Sequence, residues 1–129
     1  HAQRFIPLLL RHGQSTEALR AYQACRAKEA QFTLAEADPT LALARTAWNA
    51  GDAQQALALL GGFDRRFKGH ASVPQAYELA ARVLLQGMGR ADMALKVLAT
   101  LQARHPDDAA TQETRWLLRQ HLPPEPAVP

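Results

Sequence analysis

The chain has 129 residues, of which 47% are hydrophobic and 21% charged, and its formal net charge is +3. This composition is ordinary for a soluble globular domain, and the length is sufficient for a sizeable core. No apolar run approaches the roughly 18 residues that a membrane span needs, which argues against direct membrane insertion. The single cysteine, Cys25, excludes an intrachain disulfide and a thiolate metal set, and we expect it to be a small core residue.

The sequence predicts an all-α fold, because Ala and Leu supply most of the apolar residues and no segment alternates like a β-strand. Glycines mark the turns between paired helices. Prolines beside capping side chains mark three helix starts: Asp38-Pro39, Ser72-Val73-Pro74 and His105-Pro106-Asp107. Seven helices are predicted, over residues 4–12, 15–34, 39–50, 52–67, 74–86, 90–104 and 107–122.

Four local features modify these helices. Pro7 is expected to shorten the first helix, and Gly61-Gly62 is expected to bend or end the fourth. Asp52 and Gln55 resemble a capping box at the start of the fourth helix. Gly87-Met88-Gly89 lengthens the turn between the fifth and sixth helices.

Matched residues occur in three segments of the chain, each segment 38 residues after the one before. This interval separates turn glycines, small helix residues and the leucines that follow them: Gly13, Gly51 and Gly89; Ala18, Ala56 and Ala94; Leu19, Leu57 and Leu95. A fixed period of this size indicates a repeat architecture. In each repeat the alanine lets the paired helix approach closely, and we expect the larger residues to fill the space around it.

These residues resemble those of tetratricopeptide repeats, with Gly51-Asp52 before Ala56-Leu57 as the clearest example. The third unit, which ends at His105-Pro106-Asp107, is similar to repeats of bacterial envelope proteins. The resemblance implies a right-handed α-solenoid of about three antiparallel helix pairs over residues 1–122, ended by a polar capping helix. A proline-rich tail or linker is expected over residues 123–129. Because the chain begins at His1, we also expect a processed protein or an excised domain.

In this family the first helix of each pair lines a concave face that binds a partner. Two stripes of helical spacing become candidate groove residues: Leu41, Arg45, Trp48 and Asn49 on the third helix, with Glu78, Arg82 and Gln86 on the fifth. Trp48 would anchor a peptide, and Arg45 would donate hydrogen bonds to it. Alternatively, Trp48 packs against a neighbouring helix, and Glu78 and Arg82 form an ordinary pair four residues apart. Trp116 is either a core cap or an exposed contact.

No catalytic, metal-binding or cofactor-binding residues are predicted. Nucleophile-elbow, phosphate-loop and dinucleotide patterns do not occur. The five histidines show no metal-ligand spacing: His1, His12, His70, His105 and His121. The basic cluster of Arg65, Arg66 and Lys68 either complements a helix end or meets an anionic partner, and it is less dense than a nucleic-acid-binding stripe.

The resulting expectation is a non-catalytic module that binds a peptide or helix of a partner protein through its concave face. The alternative is a self-association or tethering domain of a larger, membrane-linked bacterial protein. In that case the first helix, with Phe5, Leu8 and Leu9, would make the contact. An enzyme is the third and weakest hypothesis.

Overall fold

A computed structural model describes residues 1–121, and every regular element in that range is helical. The elements are α1 (Ala2–Arg11), α2 (Ser15–Lys28), α3 (Ala37–Asn49), α4 (Ala53–Leu60), α5 (Phe63–Arg66), α6 (Val73–Arg82), a π-helix (Val83–Gly87), α7 (Ala91–Arg104) and α8 (Ala109–His121). The predicted all-α class is thus confirmed for this part of the chain. The predicted tail at 123–129, and the predicted last helical residue, Leu122, lie outside the described residues. Among the described helices, none combines the length and apolarity needed to cross a bilayer.

The helices form two compact units, one covering His1–Val73 and the other beginning at Pro74. In the first unit, α1 packs on α2 and α3 packs on α4, and α3 also contacts both α1 and α2. Pro7 is buried inside α1 and does not end it, contrary to the expectation of a shortened helix.

The two hairpin turns of the first unit share one hydrogen-bond pattern. The N–H of Gly51 donates to the carbonyl of Trp48 (3.0 Å), and that of Asp52 donates to Ala47 (2.9 Å). Gly13 and Gln14 repeat both bonds at the end of α1. This is the Schellman pattern, which needs a left-handed residue, and φ is +74° at Gly13 and +84° at Gly51. The turn positions predicted from the 38-residue interval are therefore confirmed.

Small residues line the helix contacts at the predicted positions. Ala18 on α2 and Ala56 on α4 have no exposed surface, and Ile6, Leu43 and Ala44 are equally inaccessible. Asp52 caps α4, because its carboxylate accepts the Gln55 N–H at 3.0 Å. The Gln55 side chain does not return the bond as in a full capping box, since its Oε1 accepts from Gln23 instead (2.7 Å).

The second helix ends earlier than predicted, and the fourth ends at its paired glycines. The second helix ends at Lys28, where Glu29 adopts an extended conformation. The chain then turns so that Phe32 meets the buried Tyr22, with ring centroids 5.9 Å apart. The fourth helix ends at Leu60, and Gly62 starts the short α5 at φ +67°, as the paired glycines predicted. Cys25, expected in the core, is only half-buried.

The third helix and its predicted cap differ as well. Asp38 was expected to cap a helix beginning at Pro39, but α3 begins at Ala37 and Asp38 lies in its first turn. The last helix was expected to begin at Asp107, but α8 begins at Ala109, and Asp108 before it accepts the Ala110 N–H at 2.9 Å.

The second unit contains the third hairpin and α8. The π-helix accommodates the longer turn. The Met88 N–H donates to the Val83 carbonyl (3.1 Å), and the backbone N–H of Arg90 donates to the Leu84 carbonyl (2.7 Å). Gly89 at φ +64° then reverses the chain, as its two counterparts do. Helix α7 contacts the π-helix and α8.

Leu95 does not fill the core as predicted, because 46% of its surface is exposed. The buried face of α7 consists of Ala94, Leu98 and Leu101, at offsets of four and seven residues. Leu95 lies beside that stripe, on the side facing solvent. The small-then-large pattern therefore holds for burial of the alanine but not of this leucine.

Candidate functional site

The first unit contains a groove between α1 and α3. Gln3 connects the beginnings of the two helices, because its amide donates to the Thr33 carbonyl (2.7 Å) and accepts the Ala35 N–H (2.9 Å). Farther along both helices, Leu10 of α1 and Ala42 of α3 line the same groove. The two helices thus run in the same direction with a shallow channel between them.

The groove has an apolar floor and charged edges. Its lining consists of Pro7, Leu10, Arg11, Glu36, Asp38, Pro39 and Ala42. The two prolines, Leu10 and Ala42 are buried or half-buried, whereas Arg11, Glu36 and Asp38 are exposed. One wall of the groove thus carries an arginine, and the other carries two carboxylates. The floor between them is suited to a small apolar side chain.

Helix α3 extends this surface beyond the end of α1. Arg45 and Asn49 are exposed at offsets of three and seven residues from Ala42, so all three share one face of the helix. Trp48 is half-buried. Of the four stripe residues predicted on this helix, three therefore reach the surface.

Leu41, the fourth predicted stripe residue, lies in the core with 6% of its surface exposed. The buried face of α3 consists of Ala37, Thr40, Leu41, Leu43, Ala44 and Ala47. Leu41 is at the border between this face and the predicted stripe, and its size favours burial. It offers little surface to a ligand.

The stripe predicted on the fifth helix lies in the second unit, and its members have partners there. Arg82 and Glu78 form an ion pair at 3.8 Å, the ordinary pairing four residues apart that was considered. Gln86 falls in the π-helix, and its Nε2 lies 3.4 Å from His121 Nε2. A ligand binding to these side chains would compete with those contacts.

Two further apolar surfaces are exposed. On α1, Phe5 and Leu8 are 52% and 47% exposed, and Leu9 is half-buried. On α8, Trp116 is 58% exposed, so of the two alternatives considered for it the structure favours the exposed contact.

The basic cluster is partly used by the fold itself. Arg66 donates to the Leu34 carbonyl (2.9 Å), and its guanidinium lies 4.8 Å from the centre of the Phe67 ring. Arg65 and Lys68 are exposed. Arg66 thus joins the loop before α3 to the end of α5.

A histidine and a serine come together just before α6. The Ser72 N–H donates to His70 Nδ1 (3.0 Å), and the Ser72 hydroxyl lies 2.7 Å from the same nitrogen, which closes the turn before α6. Ser72 is 4% exposed, so its hydroxyl is not presented to a substrate. Among the described residues, no three His, Cys, Asp or Glu side chains are placed to hold a metal ion.

An exposed pair lies at the start of α7. Arg90 donates twice to the Asp92 carboxylate, each bond being 3.3 Å long. The hydrogen bond from Arg90 lowers the pKa of Asp92, and the same bond raises the pKa of Arg90. Both side chains are exposed, so this is a surface ion pair.

The groove residues of α1 were not predicted as site residues. Their spacing gave no signal by itself, since Pro7, Leu10 and Arg11 read as an ordinary helix interior. The signal was the repeat. A 38-residue period makes α1 and α3 the first helices of two consecutive repeats, and stacked repeats bring their first helices side by side.

No protein-family model matches the chain, and no curated protein matches it.

Proposed function

We propose that this chain is a non-catalytic module that binds an extended peptide or a helix of a partner protein. The observation that carries the proposal is the continuous surface formed by the α1–α3 groove and the exposed face of α3. Arg45 and Asn49 make no side-chain hydrogen bond or ion pair with the described residues, so their donors are available to a ligand.

The repeat features support a tetratricopeptide-like fold for this module. Three glycines 38 residues apart adopt positive φ, and three alanines at the same interval, Ala18, Ala56 and Ala94, are fully buried. In the proposed architecture three antiparallel helix pairs stack into a right-handed α-solenoid, and α8 caps it. Such solenoids bind partners through surfaces formed by consecutive repeats.

The lining of the groove suggests the chemistry of the ligand. The apolar floor would take a small aliphatic side chain, and Arg45 would bind a carboxylate or backbone carbonyls. Glu36 and Asp38, at the start of α3, would bind a basic residue. We therefore expect a peptide that carries both signs of charge around an apolar residue, with the half-buried Trp48 supporting the face from which Arg45 projects.

Photocrosslinking tests the placement of this surface. A photoreactive amino acid is introduced at Arg45, and a matched control is introduced at Arg20, an exposed arginine on α2. The proposal predicts a protein that crosslinks at position 45 and not at position 20. Equal crosslinking at both positions, or at position 20 alone, would place the binding surface elsewhere.

A further inference from the structure

The solvent-facing side of α1 carries an amphipathic stripe separate from the groove floor. Arg4, Phe5, Leu8 and Arg11 are all exposed, at offsets of one, four and seven residues, so they share one face. Ile6, which points to the opposite side, is fully buried. The helix is thus held to the unit by one face and presents the other to solvent.

The charge on this stripe is of one sign. Helix α1 contains Arg4 and Arg11 and no acidic residue. Within the part of the chain that the structure describes, neither arginine forms an ion pair. Single exposed apolar residues are common, but here Phe5 and Leu8 lie on adjacent turns between two arginines that form no ion pair. Arg11 also lines the edge of the α1–α3 groove, whose other edge carries Glu36 and Asp38.

We propose that this stripe docks an acidic amphipathic helix of a partner protein. Phe5 and Leu8 would receive apolar side chains spaced three or four residues apart on that helix. Arg4 and Arg11, separated by seven residues and therefore about 10 Å along the axis, would each bind a flanking carboxylate.

Charge decides between this occupant and a second copy of the chain. In a two-fold symmetric α1–α1 contact, Arg4 of one copy would lie near Arg11 of the other if the helices ran antiparallel, and near the same arginine of the other if they ran parallel. Such like-charge pairs oppose association, and the net charge of +3 adds to the repulsion. An acidic helix removes both penalties.

An anionic membrane is less suitable for a geometric reason. Ile6 and Pro7 are committed to the core, so only Phe5 and Leu8 could enter the interface. Peripheral helices bind with a broad apolar face and many basic residues, and this stripe offers two residues of each kind.

The test uses a displayed library of helical peptides with a fixed Leu/Phe ridge and flanking positions that encode Glu, Lys or Gln equally. Selection on the whole chain is expected to enrich Glu at the flanks. Selected peptides should bind a Phe5→Ser/Leu8→Ser variant at least about tenfold more weakly. An Arg4→Glu/Arg11→Glu variant should select Lys instead. Leu95→Ser, which alters an exposed leucine on α7, is the matched control and should bind like the parent.

Four results would overturn the inference. They are selection without a preference for acidic flanks, equal binding by the Phe5→Ser/Leu8→Ser variant, a dimer in sedimentation that is lost in Leu8→Ser, and binding of phosphatidylserine vesicles that is lost in Leu8→Ser. Circular dichroism checks that each variant keeps its helices. Phe5 and Leu8 do not line the α1–α3 groove, so a failure here leaves the crosslinking test at Arg45 unaffected.

Discussion

The turn glycines are the residues whose role follows most directly from their backbone. At Gly51, φ is +84°, and a Cβ added there would meet no atom within 4 Å. Replacement by alanine would therefore cost conformational energy without any clash. Sequence alone located this residue, because a glycine at a fixed interval after a helix is typical of a left-handed cap.

Gly51→Ala is predicted to lower the free energy of unfolding by about 1 kcal/mol, the cost of placing an L-residue in the left-handed region. Chemical denaturation measures this. Gly61→Ala is the matched control, because φ there is −57° and the nearest atom to the added Cβ is the Ala58 carbonyl oxygen at 3.4 Å. The control is expected to be neutral or slightly stabilising. Equal losses in both variants would contradict the assigned turn.

The buried alanines make a second prediction at this scale. Ala56 has no exposed surface, so Ala56→Leu would force extra methylene groups into a filled contact and cost about 1–3 kcal/mol. Ala58 lies on the same helix and is exposed, so Ala58→Leu should change stability little. Thermal unfolding of the two variants compares them directly. An Ala56→Leu variant as stable as the parent would mean that the helices are less closely packed than described.

Residues at the border of a stripe were not predictable. Leu41 and Leu95 lie at the edges of their helical stripes, about 40° or more around the helix axis from the neighbouring stripe residues. Leu41 is buried in the core, and Leu95 is exposed. Periodicity assigns the centre of a helical face reliably, but burial at its edges depends on which helix packs beside it. That packing is a property of the tertiary structure.

Among the elements, helix starts and turns could be predicted better than the end of α2. Residues 29–34 read as helical because Ala, Gln and Phe are compatible with a helix, yet the chain leaves the helix so that Phe32 meets Tyr22. The π-helix was also missed. The extra turn residue could be seen in the sequence. That the preceding helix would accommodate it by widening into a π-helical turn could not.

Deleting Met88 tests that account of the π-helix. The deletion is predicted to convert Val83–Gly87 into a regular α-helical turn ended like those at Gly13 and Gly51, because the third turn spans one residue more than they do. The melting temperature should then change by no more than a few degrees. Loss of cooperative unfolding in the deletion variant would show that the insertion is required.

The junction at the start of α1 carries another element-scale prediction. Gln3→Ala removes both hydrogen bonds that join α1 to the loop before α3, and we expect a loss of about 1 kcal/mol because the site is exposed. Gln14→Ala, at an exposed turn position without a side-chain cap bond, is the control. Hydrogen exchange should show faster opening of residues 33–36 only in Gln3→Ala. Unchanged exchange there would indicate that the two bonds do not hold the junction.

At the scale of the whole molecule, stability is expected to be local. In repeat-type proteins each unit contributes its own stability plus a term for its neighbours. Ala56→Leu should therefore raise hydrogen exchange in α3 and α4, while α7 and α8 in the second unit change less. A uniform increase along the described chain would instead indicate one fully cooperative core.

The candidate surface was predictable only in part. Sequence reasoning selected Arg45, Trp48 and Asn49 from their helical spacing, and all three reach the surface. It did not select Arg11, Glu36 or Asp38, because a groove between two helices is a property of their packing. The pairing of Arg82 with Glu78 was one of the two alternatives that their spacing allowed, but the position of Gln86 beside His121 was not predicted.

The most direct test of the proposed function is a quantitative affinity capture with three forms of the whole chain. They are the parent, Arg45→Ala/Asn49→Ala, and Arg20→Ala, which removes an exposed arginine on α2. We predict a protein that is retained by the parent and by Arg20→Ala and lost with Arg45→Ala/Asn49→Ala. If every protein retained by the parent is retained equally by Arg45→Ala/Asn49→Ala, the α3 surface is not the binding site and the proposed function is wrong.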